Sequence, residues 1–400
     1  MKELTNPLIQ HVRLDIPRRF NELTLFGQHR DRLTRVLGGE TLPPYEIIVH
    51  PSSRCNLQCA WCIGEEILDE RDLSKASDRL PSTLEDPDKM ARVIDGIVNY
   101  EKDGFRVENV SFSGITGEPF MAKQSFVKAV KILTKHGVRV GVFSNSTLID
   151  PDIQNALLKI SYINVSLDAA TPVTWANMKY RGKSAGYELF DRVIQNVGNL
   201  TRARDKSGSD LQVNASFVLY PDNYPEIYEA ARLCKGMGVN TLRIKQDISG
   251  ISLLSPGQRE EAVKLCARVQ SDLVDDRFRF VEIHPPDTAP KSQRSFNQCL
   301  ITNLWGAVGS DGKVYACNYN ACVGGVPPYG NAIEQSFQEI WEGETRRRIQ
   351  QQLPMGCPQE CDPFKGRANR LLSAVQESYQ TNGPEITDLY IDELLRQLHD

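Results

Sequence analysis

From residue 46 onward, the chain alternates short apolar runs with longer segments in which apolar residues recur every three to four positions. Short runs of this kind predict buried strands, and the longer spacing predicts helices with one core-facing side. The rhythm repeats about six times, with the lengths expected of strand–helix units. The predicted strands are 46–50, 107–112, 138–143, 162–167, 211–219 and 239–244.

The segments between these strands carry helix signals. Asp86 is placed to cap a helix that has Pro87 at its first position, and apolar stripes follow near 126–133 and 189–200. Strands that alternate with helices form parallel sheets and close naturally into barrels, with functional groups at the carboxyl ends of the strands. Six units instead of eight predict an α/β fold, a partial (β/α)6 TIM-like barrel that is open on one side.

Smaller units are expected around this barrel. Asp311-Gly312 between two β-rich runs predicts a hairpin, and the capping box that begins at Ser336 predicts a helix after it. These signals indicate a small C-terminal α+β domain. The expected divisions are a helical lead-in (1–45), the partial barrel (46–250), a connecting helix and strand (251–290), the hairpin–helix domain (291–370) and a helical tail (371–400).

Composition narrows the choice of function. The 400 residues carry a formal net charge of −4 without a basic cluster, so neither nucleic acid nor a membrane is expected as a partner. The apolar runs are too short to cross a bilayer, and the start lacks a signal-peptide layout, so a cytoplasmic location is expected. Disulfides are rare there. Of the ten cysteines, Cys234 and Cys266 fall on core-facing helix stripes, and the other eight form two groups that indicate metal ligation.

The first group is the C-x3-C-x2-C triplet of Cys55, Cys59 and Cys62, directly after the first predicted strand. Three thiolates can hold three corners of a [4Fe–4S] cluster and leave one iron open to bind a small molecule. Zinc is the alternative, although structural zinc sites usually pair two matching cysteine knuckles. The spacing and its neighbours resemble the signature of radical S-adenosylmethionine (radical SAM) enzymes.

That resemblance implies a cofactor and a chemistry. The methionine amino and carboxylate groups of SAM would chelate the open iron. A reductant such as flavodoxin or ferredoxin would supply the electron that cleaves SAM to a 5'-deoxyadenosyl radical, which abstracts a substrate hydrogen.

Two elements match family positions near the SAM amino group and ribose. Gly117-Glu118-Pro119 follows the second strand and resembles the Gly-Gly-Glu-Pro element that binds the amino group, with Thr116 where the first glycine often stands. An ordinary turn is the alternative. Asn145 ends the third strand in a stretch similar to the family's Thr-Asn-Gly, near the ribose, with a serine in place of the final glycine.

Further matches concern the SAM carboxylate and adenine. Ser166 and Arg181 occupy the positions that hold the carboxylate, and arginine suits bidentate carboxylate binding. Asp168 lies in the same stretch but could instead cap the following helix. Trp61 matches an aromatic position near the adenine, with a core aromatic as the alternative.

The second group comprises Cys299, Cys317, Cys322, Cys357 and Cys361, around the predicted hairpin and helix. This pattern resembles the SPASM extension, or its truncated twitch form. The resemblance implies one auxiliary [4Fe–4S] cluster held by Cys299, Cys317, Cys357 and Cys361. A zinc ribbon is the alternative. Cys322 is left as another ligand, an inert thiol or a hydrogen donor to a substrate radical.

The sequence contains fewer signals for the residues that bind the substrate. Lys245, after the sixth strand, is a candidate base or anchor, or else an ion-paired lysine. Because only some 45 residues precede the first strand, where many peptide-modifying relatives carry a leader-binding domain, the expectation is a small polar substrate of natural-product biosynthesis, such as an aminoglycoside, aminocyclitol, sugar or nucleoside. Dehydrogenation of a secondary alcohol is expected first. Epimerisation, maturation of a ribosomally made peptide and a non-catalytic metal scaffold are the alternatives.

Overall fold

The computed structural model describes residues 23–62, 81–114, 117–247, 252–283, 286, 292–294, 296–357, 360–361 and 363–396. Thr116 lies outside these ranges. None of the described helices is both long and apolar enough to span a bilayer.

The strands in chain order are β1 Glu46–Val49, β2 Glu101–Lys102, β3 Phe105–Arg106, β4 Asn109–Phe112, β5 Arg139–Ser144, β6 Tyr162–Ser166, β7 Gln212–Leu219, β8 Thr241–Gln246, β9 Arg279–Glu282, β10 Ser292–Gln293, β11 Trp305–Val308, β12 Lys313–Tyr315, β13 Gly330–Asn331 and β14 Glu360–Cys361. The helices are α1 Leu23–Leu37, α2 Pro87–Val98, α3 Lys123–Lys135, α4 Pro151–Leu157, α5 Pro172–Tyr180, α6 Ala185–Ser207, α7 Ile227–Gly236, α8 Pro256–Asp272, α9 Asn320–Val323, α10 Phe337–Glu342, α11 Glu344–Gln352 and α12 Pro363–Arg396.

One large sheet organises the molecule, with the strand order β13-β12-β11-β1-β4-β5-β6-β7-β8-β9. Its six central strands are the six predicted ones, and every neighbouring pair from β1 to β9 is parallel. β11 also pairs with β1 in parallel, so the sheet extends beyond the barrel units into the C-terminal hairpin. The predicted parallel α/β architecture is therefore confirmed, and β9 and β11 flank the six predicted strands.

The two faces of this sheet differ in chemistry. Ile47 and Val49 of β1 and Val110 and Phe112 of β4 are fully buried in one core with the apolar stripes of the covering helices. Side chains alternate between faces along a strand, so the intervening residues point into the barrel. We call this inner side the lumen face; it is largely polar, with the residues Glu46, Ser111, Tyr162, Asn164, Ser166, Asn214, Ser216, Arg243 and Lys245.

Local signals in the sequence set the helix starts. The Asp86 side chain accepts hydrogen bonds from the first turn of α2, with Pro87 at its first position. A capping box at Ser336 begins α10, as predicted. Near the termini, Leu33 and Leu37 of α1 pack with Leu371 and Leu372 of α12 in a second, smaller core.

Candidate active site

The cysteine triplet lies in a loop between the end of β1 and the end of α5. Gln58 N donates to Lys179 O at 3.0 Å, and Ala60 N donates to Met178 O at 2.9 Å. These bonds use carbonyls of the last turn of α5, which helical bonding leaves unsatisfied. The loop is therefore held at the carboxyl end of the sheet, where barrel enzymes place their reactive groups.

The three thiols form one electrostatically coupled group. Burial raises the pKa of Cys55 to about 11, and the Cys62 thiol contributes to that rise. Burial likewise raises the pKa of Cys59 to about 12, with contributions from both other thiols. Thiolates in such a place need a compensating cationic centre, which a bound iron–sulfur cluster supplies. The triplet thus suits a cluster, although no three Cys, His, Asp or Glu side chains in the described ranges are arranged to hold a single metal ion.

The Gly117-Glu118-Pro119 element packs directly against the entrance to this loop. A Cβ atom on Gly117 would lie 2.2 Å from Ser52 O, so a larger residue cannot occupy this position without moving the loop. Glu118 N donates to Arg54 O at 2.8 Å, and Pro119 begins a short 3-10 helix. The glycine therefore has a packing role that its turn-like sequence did not reveal.

The carboxylate of Glu118 is buried and already holds neighbouring elements. Ser144 Oγ donates to its Oε1 at 2.7 Å, and Asn145 N donates to its Oε2 at 2.8 Å. Burial raises the pKa of Glu118 to about 7 against these bonds. Glu118 thus ties the end of β5 to the triplet loop.

Asn145 lies beside the first cysteine, at the end of β5. Its Nδ2 is 3.9 Å from Cys55 Sγ and donates to Asn56 Oδ1 at 3.0 Å. Asn56 in turn donates to Thr147 Oγ1 at 2.7 Å, so the triplet loop and the β5 turn form one network. Ser146 has a φ of +61°, a left-handed conformation that explains why glycine suits this position.

Asp168 does not cap the following helix, contrary to one reading of its sequence position. Thr171 caps α5 instead, by accepting from Thr174 N. Asp168 forms an ion pair with Lys179 at 2.7 Å, in which both side chains are at most 3% exposed, and accepts from Val218 N at 2.8 Å. Its carboxylate is therefore committed to a buried pair.

Lys179 also links this pair to the triplet. Its Nζ donates to Ser166 O and lies 5.8 Å from the centre of the Trp61 ring. Burial acts to lower the pKa of Lys179, but Asp168 and Cys59 outweigh burial and raise the pKa above its ordinary value. A buried cation thus sits beside the expected cluster. The sequence around Lys179 contains no signal that this helical lysine would be buried.

The other residues predicted to contact SAM lie in different environments. Ser166 is half-buried on the lumen face at the end of β6, whereas Arg181 is exposed at the end of α5 with a φ of +51°. Trp61 stacks on Tyr220 with ring centres 4.7 Å apart. Burial and the nearby Asp247 raise the pKa of Tyr220. Sequence reasoning missed Tyr220, which follows β7 directly.

The four predicted auxiliary ligands come together. Burial raises the pKa of Cys299 to about 12, and Cys317, Cys361 and Cys357 all contribute to that rise. Cys317 Sγ also donates to Asn320 Oδ1 at 3.1 Å. Four thiols from the two ends of the hairpin and the segment after α11 thus suit one cluster.

Cys322 lies apart from this set, on the lumen side. It packs with Ile48, Ala307, Tyr315 and Ala321, and its Sγ is 3.9 Å from His50 Nδ1. Lys245 is half-buried on the lumen face of β8, in register with Val218. Cys234 and Cys266 are fully buried, as predicted.

Family comparisons agree with this arrangement. The model of the Radical SAM superfamily matches residues 49–268, more than half of the chain, and the protein belongs to this family. The model of SPASM, an iron-sulfur cluster-binding domain, matches residues 299–362. The chain is thus a radical SAM enzyme whose cofactors are SAM and [4Fe–4S] clusters, including an auxiliary one.

Individual relatives are more distant. The chain is 25% identical over 322 residues to mycofactocin maturase MftC of Mycolicibacterium smegmatis, covering 78% of this chain and 73% of that protein. SuiB of Streptococcus suis bound to precursor peptide SuiA shares 16% identity with a TM-score of 0.54, over 79% of this chain and 69% of SuiB. The structure of anSMEcpe with bound AdoMet shares 17% identity with a TM-score of 0.51, over 77% of this chain and 82% of that one. These two structures establish a common fold.

Proposed function

We propose that this protein is a radical SAM maturase that modifies a peptide. The names of the relatives favour this substrate over the small polar molecule expected from the sequence, since one is a maturase and another was solved with a precursor peptide. The observation that supports chemistry with both cysteine groups is the direct pairing of β11 with β1. It attaches the auxiliary cysteines to the strand that leads into the triplet.

The residues divide into two cofactor sites. Cys55, Cys59 and Cys62 would hold the SAM-binding cluster, and Cys299, Cys317, Cys357 and Cys361 the auxiliary one. When bound, the first cluster and SAM supply the 5'-deoxyadenosyl radical that removes a substrate hydrogen. Glu118, Asn145, Ser166 and Trp61 lie around the triplet loop and would position SAM; Gly117 lets that loop approach closely.

The structure gives less support to two of the expected SAM-binding residues, Asp168 and Arg181. Asp168 acts through Lys179 as a positioning residue, because its carboxylate is already paired. Arg181 would reach SAM only by turning inward from its exposed position. Lys245 and Cys322 lie on the lumen side and are the candidates for proton or hydrogen-atom transfer at the substrate.

The lumen face suits a peptide. Five of its residues on β6 to β8 bear hydroxyl or amide groups or a guanidinium: Asn164, Ser166, Asn214, Ser216 and Arg243. A peptide backbone needs a donor and an acceptor at every residue, which such side chains can meet. An oxidation would remove two hydrogens from the peptide: one as an atom, taken by the 5'-deoxyadenosyl radical, and one as a proton, for which Lys245 is the candidate base. The auxiliary cluster, when bound, would supply the acceptor for the remaining electron.

The test is substrate-dependent SAM cleavage. Anaerobically reconstituted protein would be incubated with SAM and dithionite, together with synthetic peptides or with a panel of aminocyclitols, sugars and nucleosides. We expect peptides to stimulate 5'-deoxyadenosine release and to change in mass, losing two hydrogens on oxidation or gaining one deuterium from deuterated water on epimerisation. The Cys59→Ala variant serves as the inactive control. Stimulation by the small molecules alone would disprove the peptide assignment.

A further inference from the structure

The lumen face contains an arginine, Arg243, whose guanidinium has no partner among the residues that the structure describes. Arg243 is in the middle of β8, where Leu242 and Ile244 on either side are fully buried in the outer core. Its guanidinium therefore points inward, half-buried. Burial lowers the pKa of Arg243, with Tyr162 acting in the opposite direction.

No described residue neutralises this cation. The Arg243 guanidinium makes neither a hydrogen bond nor an ion pair within the described ranges, although charged groups are usually paired where solvent is restricted. Glu46, an acidic residue of the same face, instead accepts hydrogen bonds from Ser111 Oγ and Trp305 Nε1. Arg279, in the first position of β9, adds positive charge that further lowers the pKa of Arg243.

A second polar group on this face is also unsatisfied. Asn164 is 1% exposed and lies between Ile163 and Val165, both in the outer core, so its side chain faces the lumen. Its Oδ1 is buried and has no hydrogen-bond donor in the described part of the chain. A buried acceptor of this kind is costly unless a ligand supplies the missing donor.

The register brings the two groups to one region. Asn164 pairs with Asn214 of β7, and Asn214 pairs with Thr241 of β8. Arg243 follows Thr241 by two positions on the same face. Arg243 pairs with Ser216, which pairs with Ser166, so the guanidinium starts one lumen-facing position above Asn164, level with Ser166 and below Lys245.

From this juxtaposition we infer that the lumen binds a carboxylate of the peptide substrate at Arg243 while a substrate N–H donates to Asn164 Oδ1. The inference deepens the proposed function and rests on it. Arginine matches the planar geometry of a carboxylate with two parallel N–H donors. The carboxylate is either the free C-terminus of the peptide or an acidic side chain, and the amide N–H is available from either source.

Three pools of random hexapeptides, labelled with an uncharged BODIPY dye that has no carboxylate, test this inference with the full-length protein and SAM, without reductant. The first pool has an amidated C-terminus and no acidic residue, the second has a free C-terminal carboxylate, and the third is amidated with one internal glutamate. Anisotropy titrations of wild type, Arg243→Gln and Asn164→Leu are compared with Arg279→Gln, which removes a nearby exposed arginine.

We expect wild type to bind the second or the third pool about ten- to a hundredfold more tightly than the first, as charge-assisted hydrogen bonds provide. Arg243→Gln should abolish that preference, and Arg279→Gln should retain it. Asn164→Leu should weaken all three pools alike, by about two- to tenfold. The pool that is preferred identifies the source of the carboxylate.

Two further measurements keep structural and cofactor roles distinct. An unpaired buried cation does not stabilise the free protein, so Arg243→Gln should unfold at the same or a higher denaturant concentration. A clear loss of stability would mean a structural arginine and would overturn the inference. Loss of SAM binding in equilibrium dialysis, with unchanged peptide preference, would reassign Arg243 to SAM.

Absence of any preference among the pools in wild type would also refute the carboxylate site. Peptide-stimulated 5'-deoxyadenosine release with amidated, neutral peptides would leave the proposed function standing in that case. The two hypotheses therefore fail separately.

Discussion

The buried pair of Lys179 and Asp168 offers the sharpest test of how the site is built. Removing one partner leaves an uncompensated buried charge, which typically costs about 3–5 kcal/mol. Lys179→Met would strand the Asp168 carboxylate, and Asp168→Asn would strand the ammonium group. Asparagine still accepts from Val218 N and tolerates the left-handed φ of +57° at this position, so the backbone should stay in place.

The double variant separates charge from shape. With both charges removed, most of the penalty should disappear, because no buried charge then lacks a partner. We expect a coupling free energy of about 2–3 kcal/mol in urea unfolding of the cluster-free protein, followed by tryptophan fluorescence. Replacing the exposed pair of Arg232 and Glu229 in the same way should give coupling below about 1 kcal/mol.

Additive losses in the Lys179 and Asp168 variants would refute this reasoning. If Asp168 instead held SAM, Asp168→Asn would weaken SAM binding while the free energy of unfolding remained unchanged.

Three other perturbations follow from the site. Gly117→Ala should prevent normal folding of the triplet loop, because its Cβ would lie 2.2 Å from Ser52 O, and the iron content per chain should therefore fall. Gly257→Ala, which has open space around the Cβ, should leave the iron content unchanged. Burial lowers the pKa of His50 to about 4, so the unfolded chain binds the proton more tightly. The contribution of His50 to stability should therefore be lost as the pH falls from about 6.5 to about 4, by up to about 3 kcal/mol, while Glu118, whose pKa is raised to about 7, acts in the opposite direction. In urea titrations His50→Gln should lose less stability than wild type over this range, and the same pH dependence in both proteins would contradict the prediction. Cys299→Ser should lower iron from about eight to about four per chain, whereas Cys322→Ser should not; equal losses would make Cys322 a ligand.

The sequence revealed most of the barrel because burial on the outer face imposes a regular apolar pattern. Ile47 and Val49 mark β1 in this way, and Val110 and Phe112 mark β4. Alternation fixes which residues face the lumen once the strands are known. The alternation in β6 thus places Ser166 on the lumen face, whereas its role toward SAM was predicted from the family resemblance.

Contacts between segments that are distant in the sequence were harder to predict from it. Nothing near Trp305 indicates that β11 pairs with β1, since the two strands are separated by more than half of the chain. Lys179 was not recognised as a site residue because its contacts with Asp168 and with the triplet loop form only when the turn between β6 and α5 is folded. A helical lysine is ordinarily solvent-exposed, and only folding reveals an exception.

The pairing of β11 with β1 also governs how the molecule can be divided. A chain cut before residue 299 would expose the edge of β1 along the register from Glu46 to Val49. Unpaired edges invite pairing with another chain, so the isolated barrel should tend to aggregate. Exchanging C-terminal domains between relatives would consequently replace part of the sheet that supports the SAM cluster, and chimaeras should retain β11 with its own β1.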